Sequence, residues 1–294
     1  MNSKNLIFSG CATAIVTPFK KGEVDFYALE ELIKRQLSSG VSALVVLGTT
    51  GESPTVSDGE REEIIRLSKQ VIASRVPLIV GTGSNCTERC VKLTQGALKL
   101  GADACLCVTP YYNKATDKGL YLHYRAVARS VDIPIILYNV PSRTGVKLSQ
   151  GALDMISELD NVVAIKEASG DVSEIEGKIA RFGDRFTFYS GCDELILPIY
   201  SLGGHGVISA VANVVPDKIS ELCALFESGE TEKATALALS LSSLIKEMFA
   251  EVNPIPIKCA LSLLGLCENE LRLPLAPSDR EGKILDVLSA YSLQ

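Results

Sequence analysis

Short apolar runs recur along the chain as far as Ala210, and the segments between them carry apolar residues at helical spacing. The runs are C-A-T-A-I-V from Cys11, S-A-L-V-V-L-G from Ser42, P-L-I-V-G-T-G from Pro77 and A-C-L-C-V-T from Ala104. P-I-I-L-Y-N from Pro134, V-V-A-I-K from Val162, F-T-F-Y-S-G from Phe186 and G-V-I-S-A from Gly206 complete the set. Most are rich in Val and Ile and apolar on both faces, as parallel strands covered by helices must be. Between them, Ser57-Asp58-Gly59-Glu60 is a capping-box pattern, with Ile64, Leu67, Val71 and Ile72 following on one face. Asp171 and Glu174 open another helix that Gly183 can close. Eight strand–helix alternations predict an α/β fold, a closed (β/α)8 TIM barrel, with an open doubly wound sheet as the alternative because counting strands cannot show closure.

The pattern changes after Pro216. A-T-A-L-A-L-S-L-S-S-L-I-K-E-M-F-A-E reads as one long helix, a shorter helix follows N-P-I-P, and another follows P-L-A-P-S-D. The expected division is a catalytic barrel over 1–225 and a C-terminal helical extension over 226–294. So short a tail has little core of its own, so it should pack on the barrel or build an oligomer contact.

One run breaks the apolar rule. V-V-A-I ends on Lys166, and simple alternation sends Val162, Ala164 and Lys166 to one face and Val163 and Ile165 to the other. A surface lysine reaching past a strand end is the ordinary reading. In a barrel, however, the strand ends and following loops form the active-site face. A nucleophilic lysine must be present as the free amine, which desolvation at an apolar barrel mouth favours.

Composition narrows the function classes. The 294 residues are 47% hydrophobic, 22% charged and 6% aromatic, which suits a globular chain with an aliphatic core. A net charge of -6 without any Lys/Arg block argues against nucleic acid or an anionic membrane as partner. No run approaches the roughly 18 apolar residues of a spanning helix, and M-N-S-K-N-L-I-F-S-G has too short an apolar stretch for a signal peptide, so a cytoplasmic location is expected. The nine cysteines include no C-x-x-C pair and there are two histidines, so reduced thiols are expected rather than a zinc site. Alternation puts Cys105 and Cys107 on one face of their strand.

Other candidates gather at the same barrel end. Tyr138 closes the fifth run, either as an aromatic cover on the core or, beside an amine, as a proton relay. Arg143 in N-V-P-S-R-T-G is either a solvated charge or a clamp for a substrate carboxylate. G-T-T-G-E-S from Gly48 can offer backbone N–H groups and hydroxyls to a small carboxylate. There is no G-x-x-x-x-G-K-[ST], and G-T-G-S-N-C from Gly81 lacks the third glycine of a dinucleotide fingerprint, so no cofactor is expected.

Taken in order, G-T-T-G-E-S, T-P-Y-Y-N-K, Y-N-V-P-S-R-T-G, A-I-K-E-A-S-G-D, S-G-C-D and G-V-I-S resemble the dihydrodipicolinate synthase family of the N-acetylneuraminate lyase superfamily. The tail motifs N-P-I-P-I-K and L-R-L-P-L match as well. The resemblance implies that Lys166 forms a Schiff base with pyruvate, whose enamine then attacks L-aspartate 4-semialdehyde on the diaminopimelate route to lysine. It implies that Tyr138 relays protons through Thr50 to Tyr112, the last supplied by a neighbouring subunit. Thr49 and Thr50 resemble the pyruvate-carboxylate site, and Arg143 resembles the arginine linked to the semialdehyde carboxylate. Gly191 and Ile208 correspond to pocket-lining positions. A homotetramer built from tight dimers is the family's usual assembly, though some members stop at dimers. Sialic acid lyases and 2-keto-3-deoxy-sugar acid aldolases are the rival readings on the same scaffold, and S-R-T-G after Y-N-V-P favours the synthase.

The resemblance also carries a departure. Lysine-sensitive members bind lysine at a dimer interface with a glutamate, a histidine or tryptophan, an asparagine and a tyrosine. Asn85 and Tyr111 fit, but Arg89 stands where the glutamate would be, with Glu88 adjacent, and Asp58 and Arg61 stand at the usual histidine positions. Weak or absent inhibition by lysine is therefore expected.

Overall fold

The computed structural model describes residues 6–293. Residues 1–5, the start of the segment read as too short for a leader, lie outside them, as does Gln294. Eight parallel strands close into a barrel: β1 (Gly10–Ala14), β2 (Ala43–Val46), β3 (Leu78–Gly81), β4 (Ala104–Val108), β5 (Ile135–Asn139), β6 (Val162–Glu167), β7 (Thr187–Ser190) and β8 (Gly206–Ser209). β1 pairs with both β2 and β8, so the sheet has no free edge and the open-sheet alternative falls away. All eight strands fall on the apolar runs read from the sequence, with β1 starting one residue earlier, at Gly10, and β6 ending one residue later, at Glu167.

Alternation sorts the strand residues into two cores. The barrel interior holds Ala12, Ala14, Ala43, Val45, Ile79, Leu106, Ile136, Ala164, Tyr189 and Ile208, where small alanines leave room for the larger side chains. Tyr189 fills much of this space, with its ring stacked on Phe8 at 4.1 Å and its hydroxyl donating to the Phe8 carbonyl at 2.8 Å. The outward residues, Cys105 and Cys107 among them, pack beneath the helices. The two cysteines do share a face.

β6 departs from simple alternation. Ile135 pairs with Val162, but Ile136 pairs with Ala164, so Val163 is an extra residue in the ladder. Val162 consequently joins the outer core and Val163 the inner one, the reverse of the assignment made from alternation, while Ala164 and Ile165 keep their expected faces. A bulge of this kind re-aims the strand immediately before Lys166.

The helix signals hold. Ser57 caps the helix Asp58–Ile72 in a complete capping box with Glu60, and Asp171 caps Val172–Phe182, which ends at Gly183. The tail differs in one respect. The single long helix expected there is two, Thr231–Ser240 and Ser242–Met248, with a turn at Leu241. Ser240 and Ser242 turn their hydroxyls back onto the carbonyls of Leu237 and Leu239, and the Tyr291 hydroxyl takes the Ser240 carbonyl, so the helix ladder has local competitors at the break. The helix Pro216–Glu227 precedes this pair, and Ile255–Leu263 and Glu281–Ala290 follow it. Tail residues Leu244, Met248, Ile257, Leu261 and Ile284 belong to the same apolar core as the outer barrel residues. Among the described residues no helix is long and apolar enough to cross a membrane.

Candidate active site

The carboxyl ends of the strands open on a cleft of about 520 Å³. Its lining includes Thr49, Tyr138, Val140 and Arg143 from the barrel and Asn253 and Leu275 from the tail. Barrel and tail thus build it together.

Lys166 and Tyr138 are direct ladder partners on β6 and β5, and both point into the mouth. Lys166 is 6% exposed and Tyr138 7%, and the lysine Nζ lies 4.5 Å from the centroid of the tyrosine ring. Among the described residues no carboxylate stands within ion-pair distance of Lys166. The buried amine has its cation–π contact on the face of the phenol. Lys166 does not line the cleft itself; Tyr138 both lines it and contacts the lysine.

Gly191 follows β7 and lies against the lysine stem. A β-carbon there would meet Ala168 Cβ at 2.8 Å and Lys166 Cε at 2.9 Å, so any side chain would displace the amine. Ile208 on β8 is 1% exposed and packs in the same inner cluster as Tyr138 and Ala164. Asp193, also from S-G-C-D, is fully enclosed; burial pushes its carboxyl up, against the Ser209 hydroxyl, the Ala210 and Val211 amides and the Lys166 charge. Burial likewise pushes the Cys192 thiol up to about 11.

The loop after β2 presents the two threonines differently. Thr49 is half-buried on the cleft lining, whereas Thr50 is buried and its hydroxyl accepts from Asn253 Nδ2 at 3.0 Å. The Asn253 carbonyl in turn accepts from Arg143 Nη2 at 3.1 Å. One tail residue thereby links the threonine loop to the arginine across the cleft. Next to Thr50, Glu52 is buried between Lys258 Nζ at 2.5 Å and the Arg272 amide at 3.1 Å. Lys258 also donates to the Glu270 carbonyl and sits 4.0 Å over the Phe19 ring. The motifs N-P-I-P-I-K and L-R-L-P-L are thus the two hooks that fix the tail to the loop after β2.

Tyr112 stands apart. It is 91% exposed, holds a left-handed φ of 71°, and is absent from the cleft lining, although Tyr111 is present there. Among the described residues of one chain no hydrogen bond joins Tyr138 to Thr50 or Thr50 to Tyr112. A conformation this costly for a non-glycine residue holds the ring out into solvent. Sequence reasoning missed Asn253, Asp193 and Glu52 as parts of the site. The first opens N-P-I-P-I-K, where an asparagine before proline reads only as a turn.

Of the residues weighed for lysine binding, Arg89 and Tyr111 line the cleft with Arg61. Arg89 forks onto Asp58, with Nη1 2.8 Å from Oδ2, and holds that carboxyl below its ordinary range. Glu88 points to Lys92 at 2.8 Å. Arg61 is buried and donates to the Gly81 carbonyl at 2.6 Å; burial pushes it down to about 10.

Comparison with known proteins agrees with this geometry. Residues 7–287 match the Dihydrodipicolinate synthetase family. The 4-hydroxy-tetrahydrodipicolinate synthase of Alkaliphilus oremlandii is 48% identical over 98% of this chain and 100% of its own length. That of Thermotoga neapolitana is 50% identical over 94% of this chain and 95% of its own. The crystal structure of dihydrodipicolinate synthase from Thermotoga maritima superposes with a TM-score of 0.94 at 47% identity, covering 98% of this chain and 100% of that one. A barrel with a buried strand-end lysine over a tyrosine ring, capped by a helical tail and alike in sequence over nearly its whole length, places this chain in the dihydrodipicolinate synthetase family.

Proposed function

We propose that the chain is a lyase, a 4-hydroxy-tetrahydrodipicolinate synthase that condenses pyruvate with L-aspartate 4-semialdehyde through an imine on Lys166. The observation that carries this reading is the Lys166 amine, 6% exposed at the barrel mouth and 4.5 Å over the Tyr138 ring. The free amine adds to the pyruvate ketone, and loss of water leaves the imine. The imine withdraws electrons, so the methyl group gives up a proton and becomes an enamine. That carbon attacks the aldehyde of the second substrate. The amine of the new chain then displaces Lys166 and closes the ring, which frees the enzyme.

Each step moves a proton, from the pyruvate methyl carbon when the enamine forms and at oxygen or nitrogen in the others. Tyr138 is placed to hold one at the reacting centre. The hydroxyl of Thr50 accepts from Asn253, which leaves its own proton to donate, toward the pyruvate carboxylate or toward Tyr138. Thr49 and the loop amides form the rest of the carboxylate site, and Arg143, tethered to the Asn253 carbonyl, faces the cleft as the clamp for the semialdehyde carboxylate. Gly191 and Ile208 shape the pocket around the lysine. Tyr112 completes the relay in a neighbouring subunit, which its outward, 91% exposed position supports. The working assembly is a homo-oligomer, a tetramer as a dimer of dimers, acting in the cytoplasm with no cofactor beyond the substrate imine. Coupled turnover of pyruvate with L-aspartate 4-semialdehyde, run beside N-acetylneuraminate cleavage, tests the reading: turnover of the first pair alone supports it, and turnover of the second substrate alone overturns it.

A further inference from the structure

Directly behind the lysine lies a buried polar cluster that the proposed chemistry does not use. Glu167 follows Lys166 and Asn139 follows Tyr138, and the two pairs are adjacent rungs of one ladder. Alternation sends Lys166 and Tyr138 inward and Glu167 and Asn139 outward, under the helix Val172–Phe182. Asn139 Nδ2 donates to both oxygens of Glu167, at 2.8 and 3.0 Å. The Ser169 amide donates to Glu167 Oε1 at 2.9 Å and Lys178 Nζ to Oε2 at 2.9 Å. Lys178 also reaches Glu174 at 2.8 Å, and Asn139 Oδ1 accepts from the Leu148 amide at 2.9 Å. Asn139, Glu167 and Lys178 are all 1% exposed or less.

A buried ion pair is a poor device for stability, because desolvating two charges offsets most of their attraction. Fixing a geometry is a better account of it. The ladder between β5 and β6 ends at this rung, where strand ends fray. The carboxylate joins the last residue of β5, the last residue of β6, the turn at Ser169 and the helix that follows. Such a clamp fixes the separation of the two backbones whose preceding side chains are Tyr138 and Lys166.

We propose that Glu167, held by Asn139 and Lys178, is a positioning residue that locks the ends of β5 and β6 and so fixes the Lys166 amine over the Tyr138 ring. The inference rests on the imine reading of Lys166, and borohydride trapping of pyruvate on the unsubstituted chain tests that reading separately. Displacing a reacting group by an ångström can cost about a hundredfold in rate, so loosening the clamp should lower kcat with little change in the KM for pyruvate.

The decisive variant is Glu167→Met with Lys178→Met, which removes both buried charges for apolar groups of similar size but leaves the Asn139 and Ser169 N–H donors without their acceptor. Its expected behaviour is a cooperative melt at a Tm lowered by several degrees, a kcat and a trapping rate at least about tenfold lower, and a pyruvate KM within about threefold. Glu167→Gln keeps one acceptor for Asn139 but turns its NH2 group toward the Lys178 or Ser169 donor, so a kcat between those of the unsubstituted chain and the double variant is expected. Asn139→Leu removes the clamp from the other strand and should reproduce the loss if the double variant does not fold. Full kcat in the folded double variant, or in Asn139→Leu, would overturn the proposal, as would a Glu167→Gln variant as slow as either. No adduct on the unsubstituted chain would overturn the imine reading and this inference with it.

Discussion

Gly191→Ala is the smallest change that should disable the lysine without touching it. The new β-carbon would lie 2.9 Å from Lys166 Cε, 2.8 Å from Ala168 Cβ and 3.1 Å from the Glu167 carbonyl oxygen. Non-bonded carbons rest about 3.5–4.0 Å apart, so the lysine stem has to retreat by about 0.6 Å or more. The φ of Gly191 is not in the left-handed region, so the effect is one of space and not of backbone strain. Two of the three neighbours are backbone or a methyl on backbone, which yield little, and the flexible lysine is the part that moves. Overpacking of this size costs about 1–3 kcal/mol in stability, or roughly 2–4 °C of Tm per kcal/mol. The effect on rate should be larger in proportion, because a shift approaching an ångström at a reacting atom costs up to about a hundredfold. The assay is the initial rate of borohydride-trapped adduct with pyruvate, measured beside a thermal melt. A drop of about tenfold to a hundredfold with a folded protein is the expected result. A Gly191→Ala chain that traps pyruvate at the unsubstituted rate would refute the claim that this glycine is required by the position of Lys166.

Three further outcomes follow from the site. Arg143 is exposed, so removing the charge-assisted contact proposed for it with the second substrate should cost near the lower end of about 1.5–3 kcal/mol, roughly tenfold in condensation, while trapping of pyruvate stays intact in Arg143→Ala; unchanged condensation would return Arg143 to a surface role. Mixing inactive Lys166→Ala and Tyr112→Phe chains under subunit exchange should recover activity, since a hybrid can hold one complete site, and mass spectrometry of the hybrid with no recovery would remove Tyr112 from the partner's site. Lysine should inhibit weakly: Arg89 stands on Asp58 and Lys92 on Glu88, so an incoming ammonium would meet a resident cation at each carboxylate. Half-inhibition of initial rates below about 1 mM lysine, equivalent to about 4 kcal/mol of binding, would contradict that.

The barrel was legible because each strand is a short apolar run bounded by turn residues, and because capping signals such as Ser57–Glu60 mark the helices between. The bulge in β6 was not. V-V-A-I is apolar at every position, so nothing in it marks the phase of alternation, and Val162 and Val163 exchange faces without any change of composition. The break at Leu241 was hidden for a similar reason: the flanking serines keep the amphipathic pattern while their hydroxyls compete for the backbone. At the site, Lys166, Tyr138, Thr49 and Arg143 could be placed by their strands and loops alone. Asn253 could not, since its contact with Thr50 spans 203 positions of sequence and only the packed tail creates it. Glu167 and Lys178, 11 residues apart, read as ordinary charges until the fold buries both.

The proposed chemistry stands or falls with the Lys166 amine as nucleophile. Borohydride added with pyruvate to the intact protein, followed by peptide mass spectrometry, addresses it directly. One reduced pyruvyl group is expected, on Lys166, and none in Lys166→Arg, whose guanidinium stays protonated. An adduct on another lysine, or no adduct in a protein that still turns over its substrates, would contradict it.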